Sequence, residues 1–152
     1  MARRPTTRRS SDSRRYYDWL ARAGEDIIAS GLLMTDDNCY HSAAFHCQQC
    51  IEKALKAYLL LMDRRLVDGH NLTWLCKQAM RYDQRFSSWL DESAALNRCY
   101  IETRYPADLP FHLEYKQVNR FYKMAKDMYL FICTEVDKEV EAHAEEADED
   151  EA

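Results

Sequence analysis

The residues best suited to chemistry lie between Arg98 and Pro106, where Arg98, Tyr100, Arg104 and Tyr105 gather guanidinium groups and aromatic rings at the end of a helical pattern. Arg104 and Tyr105 together can grip a phosphate and stack a base, because a guanidinium fork matches phosphate oxygens and an aromatic face accepts any base. The competing assignment is structural, with Arg104 paired to a carboxylate that pins the loop while Tyr105 and Pro106 pack it. A second set, His46, Gln49, Lys53 and Lys56, recurs on one side of a helical stretch, opposite an apolar stripe centred on Cys47, Ile51, Ala54 and Tyr58. Two ammonium groups with amide and imidazole donors suit an anion. Glu52 and Lys56 equally make an ordinary i, i+4 pair on a solvated face.

Cys47 and Cys50, with His41 and His46 close by, resemble half of a zinc site. No second CxxC or spaced His pair completes four ligands and Cys47 falls on the apolar stripe, so no metal site is expected. Gly-rich phosphate loops and nucleophile motifs are missing, and the only dense carboxylate run is the C-terminal tail. General acid–base chemistry has no evident home, and no cofactor is expected.

These residues must be positioned by helices. Gly and Pro number only three each in 152 residues, too few for the many tight turns of a sheet fold. From Tyr17, the positions Leu20, Ala21, Gly24, Ile27, Ile28, Gly31 and Leu32 keep an i, i+3, i+4, i+7 spacing that predicts a helix to about Met34 with this set inward. Turn residues Thr35 to Asn38 lead to a second helix from Tyr40 to Met62. A short third helix after His70 and Asn71 buries Leu72, Leu75, Cys76, Ala79 and Met80. A fourth carries Phe86, Trp89, Leu90, Ala94, Asn97, Tyr100 and Ile101 and stops before Pro106. Asp108, Leu109 and Pro110 offer a cap and first-turn proline for a fifth, with Val118, Phe121, Tyr122, Ala125, Met128, Tyr129, Ile132 and Val136 inward. Short connections predict an all-α, up-and-down bundle of four to five helices.

Charge divides the chain into three. Residues 1–15 hold six Arg and one Asp and read as a disordered basic arm, 16–140 as the bundle, and 141–152 as a disordered acidic tail. The apolar run ending at Met62 is far shorter than the roughly 20 residues that cross a bilayer, and the Arg-rich start lacks the apolar segment of a signal peptide. A cytoplasmic protein with reduced cysteines and no membrane contact is expected.

The run from Ser42 to Leu59, with its Gln48-Gln49-x-x-Glu52-Lys53-x-Leu55-Lys56-Ala57 core, then His70-Asn71-Leu72, then Thr103-Arg104-Tyr105-Pro106, resembles the HEPN domain of prokaryotic proteins over about residues 16 to 140. The resemblance implies a helical bundle, commonly a homodimer, encoded near or fused to a minimal nucleotidyltransferase and associated with nucleotide or RNA binding. Many such proteins are metal-independent ribonucleases with an Arg-x4-6-His motif. Here Arg64 or Arg65 with His70 matches that spacing but falls in the loop after the second helix, and seven residues separate Arg104 from His112.

The resemblance therefore implies a non-catalytic module of a toxin–antitoxin or stress system that binds nucleotide or RNA through Lys53, Lys56, Arg98, Arg104 and Tyr105. The alternative is a metal-independent ribonuclease in which Arg104 and His112 act across a dimer. A purely structural helical adaptor is the third expectation.

Overall fold

The computed structural model describes residues 12–104 and 112–152, with the side chains of 99–104 outside the description. Five α-helices make up the architecture: α1 (Tyr16–Leu33), α2 (Tyr40–Asp63), α3 (Leu72–Met80), α4 (Leu90–Arg104) and α5 (Tyr115–Glu151). Short 3-10 turns at Asp37–Cys39 and Gln84–Trp89 lead into α2 and α4. The expected all-α, up-and-down bundle is the observed fold, and no strand occurs among the described residues.

Helix α2 is the axis, packed against α1, α3, α4 and α5. Ile51, Ala54, Leu55 and Leu59 are fully buried there, with Met128, Ile132 and Val136 of α5 and Leu72 and Leu75 of α3 in the same core. Burying such stripes stabilises a helix far more than intrinsic propensity does, at roughly 1.5–3 kcal/mol per large aliphatic side chain. Phe86, fully buried, sits in an aromatic cluster with Tyr58, Trp89 and Phe131, its ring centroid 4.9 Å from Tyr58 and 5.2 Å from Phe131.

The helix starts follow local capping chemistry. Asp36 caps the first 3-10 turn through Asn38 N–H, and Asn71 caps α3 by accepting from Trp74 N–H. Helix α5 opens with a capping box in which Glu114 and Gln117 satisfy each other's backbone amides. It starts at Tyr115, later than the sequence pattern suggested; Asp108, Leu109 and Pro110 lie outside the described residues.

Two expectations are corrected. On α1 the packed residues are Ala23, Asp26, Ile27, Ser30 and Met34, while Tyr17, Ile28 and Leu32 are exposed. Asp26 pairs with the partly exposed His46 and Lys53 of α2 and Ser30 with the buried Ala43 carbonyl and Cys47, so the buried face is not the most apolar one. Gly24 and Gly31 instead turn toward α5, where an added Cβ would come within 2.8 Å of Tyr129 Oη and 3.2 Å of the Tyr122 ring.

The acidic residues 141–151, expected to be disordered, continue α5 as an exposed helix. Ala and Glu are strong helix formers, and extending a packed helix incurs no nucleation cost, which outweighs like-charge repulsion along it. Of the basic arm, residues 12–15 are described and are fastened to α1. Ser13 Oγ donates to Asp18 at 2.7 Å, and Trp19 Nε1 donates to the Ser13 carbonyl at 2.9 Å. The Ser13 hydroxyl, with Arg15 behind it, holds the Asp18 carboxyl below its usual range.

Candidate functional site: a groove between α4 and α5

The sequence-derived ligand residues separate into two places. Lys53 and Lys56 do not form an open cationic stripe, because α1 packs over that side of α2. Asp26 of α1, only 7% exposed, accepts from Lys53 Nζ at 2.6 Å, and its other oxygen lies 2.8 Å from His46 Nδ1. Glu52, 4% exposed, lies 3.4 Å from Lys56 Nζ, and the ammonium of Lys56 also stands 5.7 Å from the Trp19 ring centroid. Both cations are thus neutralised by buried carboxylates, the arrangement that offsets the cost of taking a charge out of water.

Glu52 is the hub of this polar seam. Its Oε1 accepts from Gln48 Nε2 at 3.2 Å and lies 2.7 Å from His70 Nδ1. Gln48 reaches the His70 carbonyl at 3.4 Å and accepts from Gln49 Nε2 at 2.7 Å. Asn97 of α4 then accepts from Leu72 N–H at 2.6 Å and donates to Asn71 and Thr73, each at 3.0 Å. The Gln-Gln-x-x-Glu-Lys segment and the His70-Asn71-Leu72 turn are therefore one hydrogen-bonded unit that fixes the α2–α3 connection against α4.

Cys47 and Cys50 are fully buried, and burial, helped by the neighbouring Cys47, pushes the Cys50 thiol well above its usual value. Among the described residues no three His, Cys, Asp or Glu side chains group so as to hold a metal ion.

Arg98 stands elsewhere, on a groove of about 670 Å³ between α4 and α5. Arg120 and Lys123 of α5 share its lining, the floor is Ala95, Phe121 and Met124, and Asp91 and Glu92 form the α4 rim. Lys116 precedes Arg120 and Lys123 at i, i+4, i+7 spacing, so the three cations share one exposed face of α5. Among the described residues Arg98, Lys116, Arg120, Lys123 and Lys126 enter no ion pair. By contrast Arg15, Arg22, Lys53, Lys56, Arg81, Arg85 and Lys138 each face a carboxylate. Arg14, Arg64, Arg65 and Lys77 are likewise in no ion pair among the described residues, but on a chain of net charge −5 the α4–α5 set is the one that groups several such cations along one groove with an apolar lining, which suits an external anion.

Arg104 closes α4, its side chain outside the description, and Tyr105 lies outside the described residues. His112 is exposed, two residues before the Glu114 cap of α5. Sequence reasoning found Arg98 but missed Lys116, Arg120 and Lys123; their i, i+4, i+7 recurrence was the available signal. A smaller cationic groove of about 440 Å³ lies apart from this one, lined in part by Arg14, Arg15, Arg64 and His143.

Comparison with known proteins adds three findings. The HEPN domain family profile matches residues 16–137. "Putative toxin MJ1304" of Methanocaldococcus jannaschii is 32% identical over 95 residues, which is 58% of this chain and 61% of that protein, so the chain spans about three fifths of this relative's length. The crystal structure of ST0689, an archaeal HEPN homologue, superposes with a TM-score of 0.65 at 20% identity, covering 80% of this chain and 98% of that one; at that identity it speaks to the fold alone. Among the described residues no helix is long and apolar enough to cross a membrane.

Proposed function

The chain belongs to the HEPN domain family, and from that premise we propose that it is a non-catalytic nucleotide- or RNA-binding module whose ligand seat is the α4–α5 groove. The observation that carries this reading is the cluster of unpaired cations, Arg98, Lys116, Arg120 and Lys123, beside the apolar floor of Phe121 and Met124. Phosphates supply the missing counter-charge, and a groove of this size accepts a nucleotide. Arg104 and Tyr105, which follow Arg98 in the sequence, are assigned to the same ligand on their chemistry, a guanidinium for phosphate and an aromatic ring for a base. Lys53 and Lys56 act as structural cations that hold α1 and α2 together.

The module works as a homodimer beside a minimal nucleotidyltransferase, in the cytoplasm, as part of a toxin–antitoxin or stress system. The family premise and the toxin name borne by its relative support this placement. Fluorescence anisotropy with labelled ATP, GTP and short RNA tests the ligand. Binding weakened by Arg98→Ala and Arg120→Ala but not by Lys53→Ala is expected. Failure of all three probes to bind below about a millimolar dissociation constant, worth only about 4 kcal/mol, removes the reading.

The second reading is a metal-independent ribonuclease in which Arg104 and His112 meet across a dimer, favoured by the exposed His112 at the mouth of α5 and by the toxin name of the relative. Cleavage of RNA in EDTA that His112→Ala abolishes would select it over the binding module.

A further inference from the structure

We infer that the α4–α5 groove seats a single RNA strand with its phosphates along α5 and the edge of one base against Asp91 and Glu92, so that bases carrying an exocyclic amino group are preferred. This rests on the ligand reading above and adds direction and selectivity to it. The groove carries both signs of charge: Arg98, Arg120 and Lys123 line it together with the carboxylates of Asp91 and Glu92. None of these five groups pairs with another, although they border one cavity. A pure anion satisfies the cations and is repelled by the acidic rim. A ligand with phosphates at one edge and an N–H donor at the other satisfies both.

A nucleotide has that polarity. The cations at positions 116, 120 and 123 rise about 10 Å along α5, at 1.5 Å per residue, so they face successive phosphates of a strand laid along the helix. Ala95, Phe121 and Met124 then face the apolar surface of a base, and a carboxylate on the rim accepts from an amino group such as cytosine N4. Uracil presents a carbonyl at the same position, which a carboxylate repels. Asp91 and Glu92 also stand in the first turn of α4, where negative charge suits the helix dipole, so isosteric amides are the substitutions to use.

The experiment compares labelled tetracytidylate and tetrauridylate by anisotropy at pH 7.5, with the intact chain and with an Asp91→Asn, Glu92→Gln double variant checked for an unchanged helical spectrum. The intact chain binds the cytidine strand about tenfold more tightly. The double variant loses that preference chiefly by gaining affinity for the uridine strand. Equal binding of both strands by the intact chain, or a preference that survives the double substitution, overturns the inference while leaving RNA binding in place. Absence of binding by either strand removes the underlying ligand reading instead.

Discussion

His70 Nδ1 stands 2.7 Å from Oε1 of Glu52, which ties a half-exposed imidazole after α2 to a carboxylate at the middle of that helix. Glu52 simultaneously faces Lys56, which is itself 6% exposed. Removing Glu52 leaves a buried ammonium without a counter-charge, a loss typically of about 3–5 kcal/mol. Glu52→Gln is therefore expected to lower unfolding stability by that order in urea titrations. The Glu52→Leu, Lys56→Met pair recovers most of it, because exchanging a whole buried pair for apolar groups is close to neutral. A double variant as unstable as Glu52→Gln would show that the seam does not work as a charge pair.

Burial pushes the Tyr58 and Tyr129 hydroxyls up to about 12 from an ordinary value near 10. Below pH 10 the folded and unfolded states both keep these protons, and the contribution to stability is complete. Between about pH 10 and 12 the unfolded chain releases them and the native chain does not, so stability falls through that window. Thermal midpoints across it are expected to drop less in Tyr58→Phe than in the parent; parallel curves would refute the assignment.

Asp83 is held below its usual carboxyl range chiefly by the Arg85 guanidinium, which donates to it at 2.7 Å and also reaches Glu135 at 2.9 Å. The shift is downward, so this contribution is present above about pH 4 and is lost as pH falls through the native value. Asp83→Asn is expected to be less stable than the parent at pH 6 and to converge with it at pH 2. Arg85 is more than half exposed, so the difference at pH 6 stays within about 1 kcal/mol.

Salt dependence reports directly on the α5 row. Each phosphate contact on single-stranded RNA contributes about 0.7 to the slope of log affinity against log salt. Lys116→Ala, Arg120→Ala and Lys123→Ala are each expected to flatten that slope by about this amount. Lys53→Ala is expected to leave it unchanged and instead to lower stability by removing one of the two partners of Asp26, which is 7% exposed and keeps only His46.

The fold was legible in the sequence where burial follows apolar periodicity. The Cys47, Ile51, Ala54 and Tyr58 stripe of α2 and the Val118, Ala125, Met128, Ile132 and Val136 stripe of α5 are all buried. It was misread where polar groups are buried by mutual pairing. Asp26, Ser30, Glu52 and Lys56 look like surface residues one at a time, and only the opposing helix reveals their partners. Of the candidate site, Arg98 was legible as an Arg near a helix end. The α5 cations were not, because a periodic row of Lys and Arg is the ordinary signature of a solvated helix face until its lack of carboxylate partners is seen.

Helix α5 runs 37 residues, about 55 Å at 1.5 Å per residue, yet its last core side chain is Val136. His143 still borders the groove shared with Arg14 and Arg64, and the eight residues beyond it, to Glu151, extend about 12 Å further as a charged spar. Such a molecule tumbles anisotropically, with a larger Stokes radius than its 18.0 kDa mass would give a sphere. Gel filtration overestimates its size for that reason, and counting its subunits requires a shape-independent mass from sedimentation equilibrium or light scattering.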